Sequence, residues 1–479
     1  MTVVSIPWLE LAIFVPLAGA GLVGRIRDPL AALRWTLAFG AVALGCAVIA
    51  WLCFATGVAP DGTSPQDVVP RIFGEQVFSL DVLSAPLVPL VALLHFLTAL
   101  ATARTKMTRF SFTWLLIGWS LRVATFGCTS PETLSVLLSL NVVPPYLELV
   151  RRGRPTRVYT LHMGLFLGLL LAGLAASGSL AAVLLMAAVL VRSGTFPAHL
   201  WVADLFENAS FGTALLFVTP ITGMYTAVRL VVPASPPEWI LQVIATASLV
   251  TAVYAAGMAI VQAETRRVFS YLFLSHASLI LVGLELHTAV SLSGALALWA
   301  SVIVSLGGLG LTLRALEARF GRLSLRSYHG LYAQSPSLAI CFLLTGLASV
   351  GFPGTIGFIG AEMLVDGAIT ANLWIGVLVV AASALNGIAI IRTYLMVFGG
   401  RRHMSGVATH ITLRERIAVL TLATLILVAG LWPQPTVLAN HRAAEILLKT
   451  WSPSERELHE VTKSVLHSVG GASPPLSNG

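Results

Sequence analysis

Leu190-Val191-Arg192-Ser193-Gly194-Thr195-Phe196-Pro197-Ala198-His199-Leu200-Trp201-Val202-Ala203-Asp204 is the stretch on which the reading of this chain turns. A run of alanine, valine and leucine ends on an arginine, with glycine two residues later and proline five. That spacing predicts a helix that stops, turns and restarts, with a permanent positive charge at the stop. In a soluble protein this is an ordinary turn. In a lipid bilayer a broken helix frees backbone groups where no water can bind them, and a charge there is expensive, so both features need a reason.

Composition decides between the two settings. Of 479 residues, 57% are hydrophobic and only 10% charged, with mean hydropathy +0.87, whereas soluble domains carry about 25% charged residues. The chain therefore reads as an integral membrane protein, its length divided into helical spans of about 20 residues. The net charge of +8 is dispersed over short loops, so it is no nucleic-acid footprint. Cys46, Cys53, Cys128 and Cys341 are scattered inside apolar runs, without zinc or iron–sulfur spacing. Met1 to Glu10 lacks a basic start, so the first span is expected to be retained rather than cleaved.

Working outward from the break, the apolar runs predict an all-α polytopic fold of about 14 transmembrane helices. The spans fall at 7–24, 36–57, 82–103, 110–127, 133–150, 158–176, a broken 178–207, 210–230, 239–261, 267–286, 288–313, a broken 336–370, 373–398 and 416–432. With the N-terminus outside, twenty lysines and arginines fall in inner loops against Arg71 alone outside, a bias that fixes orientation and places both termini on the outer side. The second break lies at Gly351-Phe352-Pro353-Gly354. Each break is fourth in a group of five spans, and five is odd, so the groups read as two inverted five-helix repeats, each with a discontinuous helix. The expected divisions are residues 1–104, an N-terminal three-helix segment; 105–235, the first repeat; 236–400, the second; and 401–479, a last span followed by a surface helix that breaks near Ser452-Pro453.

Several motifs resemble the antiporter-like membrane subunits of respiratory complex I and of Mrp-type cation/proton antiporters, over about Asp81 to Pro433. They are Ser79-Leu80-Asp81 through Leu87, Arg192 through Asp204, Glu264-Thr265-Arg266-Arg267 through Ser275-His276, Gly351 through Phe358 with Glu362, and Arg392 with Tyr394. The resemblance implies movement of protons or monovalent cations through a chain of buried acids, lysines and histidines, within a complex containing other membrane subunits. It implies a multi-pass place in the cell inner membrane with periplasmic termini. The segments from Gly308 and Leu344 are similar to a narrower group, membrane subunits of two-component inorganic-carbon uptake complexes, which work with a large soluble partner.

The departures matter as much. The family's lysine in the broken seventh span is Arg192 here, its partner glutamate should fall in 137–144 where no acid stands, and 215–221 and 300–305 lack the expected histidine or lysine. A buried lysine can release its proton, whereas arginine stays charged, so Arg192 reads as a fixed charge rather than a relay. Asp204 and Glu207 are its candidate counter-charges, either for function or to fix the break. His199 and His276 are candidate proton carriers, since histidine titrates near neutrality, with packing roles as the alternative. Glu362 and Asp366, one helical turn apart, suit a proton or cation site. Glu264, Arg266 and Arg267 read as an inner-edge salt-bridge cluster, while Arg122, Arg229 and Arg392 near span ends are expected to snorkel. Gly19-Ala20-Gly21-Leu22-Val23-Gly24 mimics a dinucleotide loop, but no strand precedes it, so no cofactor or metal site is read. Two functions follow: a proton- or cation-translocating subunit, at most a translocase part of a quinone oxidoreductase, or a membrane anchor for a soluble partner with a degenerate proton path.

Overall fold

The computed structural model describes residues 6–451 except 60, 61, 65, 235, 287 and 401–411. Arg401, Arg402, His287 and the expected helix break at Ser452-Pro453 lie outside the described residues. Helices begin where short polar side chains cap freed N–H groups: Asp28, Ser111, Ser130, Ser210, Thr288 and Thr412 each accept from the first turn they precede. Among the described residues there are no strands beyond two isolated bridges, Phe78 with Cys128 and Glu264 with Ser324.

The first helices are α1 (Trp8–Val23), α2 (Pro29–Ala55), short α3 (Val68–Phe73), α4 (Ser84–Leu100) and α5 (Phe112–Gly127). The fifth expected span divides into α6 (Pro131–Asn141) and α7 (Val143–Arg151), because Pro144 and Pro145 supply no N–H to the preceding turn. Then come α8 (Arg157–Ala175), α9 (Gly178–Ser193) and α10 (Leu200–Asn208), the last two flanking the first expected break. The eighth span, expected to be continuous, is broken at Pro220 into α11 (Phe211–Val218) and α12 (Thr222–Thr226), with Ile221 at φ 52° and a π-turn over Ala227–Val231.

The second half contains α13 (Glu238–Val261), α14 (Thr265–Glu285), α15 (Ala289–Phe320), α16 (Pro336–Ser349), α17 (Ile356–Ala371), α18 (Leu373–Phe398), α19 (Leu413–Leu431) and α20 (Gln434–Trp451). At 32 residues, α15 runs about 48 Å and outlasts its apolar stretch, carrying Arg314 and Glu317 to one end of the bundle. Between α19 and α20 the chain bends by 79°, and α20 packs on α15, where Ser293 Oγ lies 3.4 Å from His441 Nδ1. The C-terminal helix thus crosses one end of the bundle.

Among the described residues eight helical segments are long and apolar enough to cross a bilayer, counting α6 with α7 as one and α11 through residue 234 as another, and α1, α4, α9 and α16 are shorter apolar helices. The protein is a multi-pass membrane protein. Its two ends are held differently. At one, Arg266, Arg267, Arg319 and Lys106 meet Glu317, Glu207 and Glu415. At the other, Glu10 accepts from Val68 N and Val69 N, and Arg229 pairs with Asp81.

Candidate functional site

At the first break Gly194 takes φ 72°, a conformation costly for any side chain, and closes α9 by giving its N–H to Val191 O. Thr195 N bonds Leu190 O at 2.9 Å, and Phe196 N bonds Thr251 Oγ1 on α13 at 2.9 Å. Arg192 is 5% exposed. Its guanidinium lies 4.2 Å from the centre of the Phe217 ring and 5.5 Å from Trp201, and donates to Phe217 O at 3.3 Å. Neither proposed counter-charge reaches it. Asp204 accepts from Asn208 and Glu207 pairs with Arg267 at 2.6 Å. The reason is geometric: both acids follow the break on α10, whose far end meets the first turn of α14, whereas Arg192 points across to α11.

Arg122 corrects a second expectation. It is 3% exposed, donates to Gly118 O at 3.1 Å, and lies 5.5 Å from the same Phe217 ring. The signal was in the spacing, since Trp119, Arg122 and Phe126 share one buried helical face. Arg229 does not snorkel either: it pairs with Asp81 at 2.6 Å and lies 5.0 Å from the Tyr225 ring. Asp81 precedes α4. Burial pushes its carboxyl up, but Arg229, by charge and hydrogen bond, and Ser84 hold it below the usual carboxylate range. Arg392 is part-buried and donates to Gln262 O at 3.2 Å.

Four interrupted spans share one device that the sequence did not display. At each, a carbonyl beside the interruption accepts a hydrogen bond from a buried ring. Tyr159 Oη donates to Val142 O at 2.8 Å, Trp201 Nε1 to Val191 O at 3.0 Å and Trp299 Nε1 to Pro220 O at 3.0 Å. At the second break the ring is His276, with Nε2 2.9 Å from Ser349 O. Broken helices are tolerated in membranes when such partners replace the missing backbone bond. Three of the four rings are fixed donors at neutral pH; His276 can change its protonation.

Around His276 both ring nitrogens face carbonyl oxygens, Nδ1 lying 2.7 Å from Leu272 O. A carbonyl only accepts, so two protons on the ring satisfy both contacts and one proton satisfies only one. A cavity of about 10 Å³ adjoins the ring, lined in part by Ser349 and Ser383. Next to it Asn386 Nδ2 donates to Ser275 Oγ at 2.8 Å, and Ser275 donates to Ala252 O. Glu362 and Asp366 are not part of this site. They are exposed, because α17 buries Gly357, Gly360, Leu364, Gly367 and Ala368 against its neighbours and turns the carboxylates the other way. His199 sits in an aromatic nest, stacked on Phe196 at 5.6 Å, with Nε2 3.3 Å from Tyr254 Oη.

At the end of the bundle where Arg266 and Arg267 lie, the arginines pair with acids other than Glu264. Arg266 makes a two-pronged contact with Glu317, at 2.7 and 2.6 Å, and also donates to Phe206 O and Ala209 O at the end of α10. Arg267 binds Glu207, while Glu264 bridges through its backbone to Ser324 and accepts from Val268 N at 3.0 Å. Sequence neighbours were the wrong guide, since α14 starts between α10 and the end of α15.

Comparison with known proteins bears on this arrangement. Residues 161–386 match the family model described as NADH:quinone oxidoreductase/Mrp antiporter, transmembrane. That segment holds both expected breaks, Arg192 and His276. The match covers just under half of the chain. The NAD(P)H-quinone oxidoreductase chain 4 1 of Nostoc sp. is 24% identical over 524 residues, covering 99% of this chain and 95% of the relative. NADH-quinone oxidoreductase subunit M of Mycobacterium tuberculosis is 26% identical over 295 residues, 59% of this chain and 51% of that one. In fold, a chain of respiratory complex I from Thermus thermophilus superposes with TM-score 0.81 at 22% identity, covering 93% of this chain and all of that one. A chain of the Mrp complex from Dietzia sp. gives 0.74 at 19% identity, with 93% and 96% covered.

The first half of the chain departs from what that resemblance calls for. Between 137 and 144, where the resemblance calls for a glutamate, the buried polar residue is Asn141, which donates to Thr125 Oγ1 and Leu137 O. Glu148 does not substitute, because it accepts from Ser210 N and Thr213 Oγ1 and so caps α11. Among the described residues, no carboxylate forms an ion pair with Arg122 or Arg192.

Proposed function

We propose that this chain is an antiporter-like subunit that moves protons or monovalent cations within a multi-subunit membrane complex, the second break carrying the proton-binding group and the first a fixed positive charge. One observation carries the reading: of the four rings that cap broken spans, only His276 is an imidazole, the side chain whose unperturbed pKa lies near neutrality, and its two nitrogens face acceptors, Leu272 O on its own helix and Ser349 O at the interruption. The named relatives, quinone oxidoreductase chains, support the same class. Exposed Glu362 and Asp366 on a membrane helix favour a neighbouring subunit over lipid at that face, since carboxylates in hydrocarbon are costly. We place the chain in a cell inner membrane with both termini periplasmic, from the loop charges.

A second reading is favoured by the first half. Arg192, Arg122 and Asn141 leave it without a titratable pair, as expected of a membrane anchor for a soluble partner, including an inorganic-carbon uptake complex. Reconstitution of the native complex and of the isolated chain into proteoliposomes, with internal pH followed under an imposed potential, separates the two. Translocation requires potential-driven pH change with the complex. Assembly without any such change supports the anchor and refutes the first reading.

A further inference from the structure

Three buried nitrogens without a hydrogen-bond partner belong to residues that line one cavity between α4, α5, α7 and α11: His95 Nε2, Trp114 Nε1 and Arg122 Nε. The cavity measures about 20 Å³, room for one water- or chloride-sized occupant. Pro144 and Pro145 form part of its wall and have no N–H to offer, and Leu115 and Leu216 are apolar. His95 Nδ1 lies 2.8 Å from Val91 O, which turns Nε2 away from that contact. Trp114 Nε1–H and Arg122 Nε–H are obligate donors.

The charge around the cavity is unbalanced. Arg122 and Arg192 are 3% and 5% exposed, and both approach the Phe217 ring, which limits the separation of their guanidinium carbons to about 10 Å. Glu148, whose partner Thr213 lines the cavity, is engaged by Ser210 N at 2.6 Å, by Thr213 Oγ1 and by Arg152 at 3.3 Å. Tyr159 donates to Val142 O and Asn141 is neutral. Two desolvated cations and two idle donors are each costly without a counter-ion. Water would satisfy the donors but leave both charges uncompensated.

We propose that this cavity binds one small monovalent anion of chloride size, held by Arg122 Nε–H and Trp114 Nε1–H in the field of Arg192. His95 stands on the wall with its Nδ1 committed to Val91 O. A site of this size favours a monatomic anion over sulfate or organic acids. This site is independent of the second break and does not require that His276 carry protons.

The test uses the full chain, with any partner that co-purifies, in detergent and sodium gluconate at fixed ionic strength. Gluconate is replaced stepwise by bromide while thermal unfolding is followed by circular dichroism. Wild type should show a saturable rise in midpoint, and crystals grown in bromide should show anomalous scattering beside Arg122 and Trp114. Trp114→Phe keeps the ring but removes one donor, and should raise the half-saturating bromide concentration about tenfold. Arg122→Gln should abolish the response, and if it does not fold, Trp114→Phe still decides. A bromide response absent from wild type, equal in wild type and Trp114→Phe, or a cavity holding water alone in bromide crystals overturns the proposal.

Discussion

Replacing Glu317 by glutamine tests how the first broken span is anchored. Arg266 is 8% and Glu317 15% exposed at the side chain, and their two contacts are 2.7 and 2.6 Å long. Arg266 also holds the Phe206 and Ala209 carbonyls that end α10, so the pair fastens the second half of the broken span to α14 and α15. Removing one partner of a buried ion pair costs about 3–5 kcal/mol. Arg266 retains its two carbonyls, and glutamine retains one acceptor oxygen, which puts the expected loss near the lower limit, about 3 kcal/mol. At about 2 °C per kcal/mol for a large domain, the unfolding midpoint should fall on the order of 6 °C. The assay is thermal unfolding of the purified protein by circular dichroism. A double variant, Arg266→Met with Glu317→Leu, should recover much of the loss, because apolar replacement of a whole buried pair is often neutral. A midpoint for Glu317→Gln within about 1 °C of wild type would refute the claim that this pair is desolvated and anchors α10.

Other substitutions separate fixed charge, packing and titration. Arg192→Met keeps an unbranched chain beside Phe217 but removes the charge; the midpoint should hold or rise while ion flux falls, and a loss above about 3 kcal/mol would make the guanidinium structural. A Cβ on Gly357 would collide with Ala348 O, so Gly357→Ala should force the halves of the second broken span apart at about 1–3 kcal/mol, read as a lower midpoint. Because the Asp81 carboxyl is held below its ordinary range, its stabilising contribution is full above the unfolded value of about 3.9 and fades as pH falls through the lower folded value. Wild type should therefore exceed Asp81→Asn in stability at pH 7 and converge with it in acid; a gap that widens on acidification contradicts the Arg229 pairing.

Much of the helical layout could be read from apolar runs, because lipid demands about 20 apolar residues per crossing and charges gather in loops. The two breaks flanked by glycine and proline, at 194–197 and 351–354, were equally visible. The interruptions after Asn141 and at Pro220 were not, since proline inside a membrane run is compatible with a continuous helix until its neighbours are known. The site was less legible. Arg192 and His276 declared themselves as polar residues beside breaks, but the ring that caps each freed carbonyl comes from another element, and no local spacing records that pairing. Asp204 and Glu207 were matched to Arg192 by proximity in sequence, whereas α10 carries them to Arg267. Glu362 and Asp366 looked like an inward pair by spacing alone; the small residues at 357, 360 and 367 were the better guide to which face of α17 is buried. Arg122 lies near a span end, which suggests snorkelling, but the large apolar residues sharing its face mark it as buried.

The central claim is that a proton passes by way of His276 at the second break. Its most direct measurement is potential-driven internal pH change in proteoliposomes holding the native complex with His276→Asn, alongside Ser275→Ala and with subunit assembly checked in the same preparation. The account predicts that His276→Asn reduces the pH change to that of protein-free liposomes while the complex stays assembled and Ser275→Ala retains flux. An assembled His276→Asn complex that moves protons at the wild-type rate would contradict it.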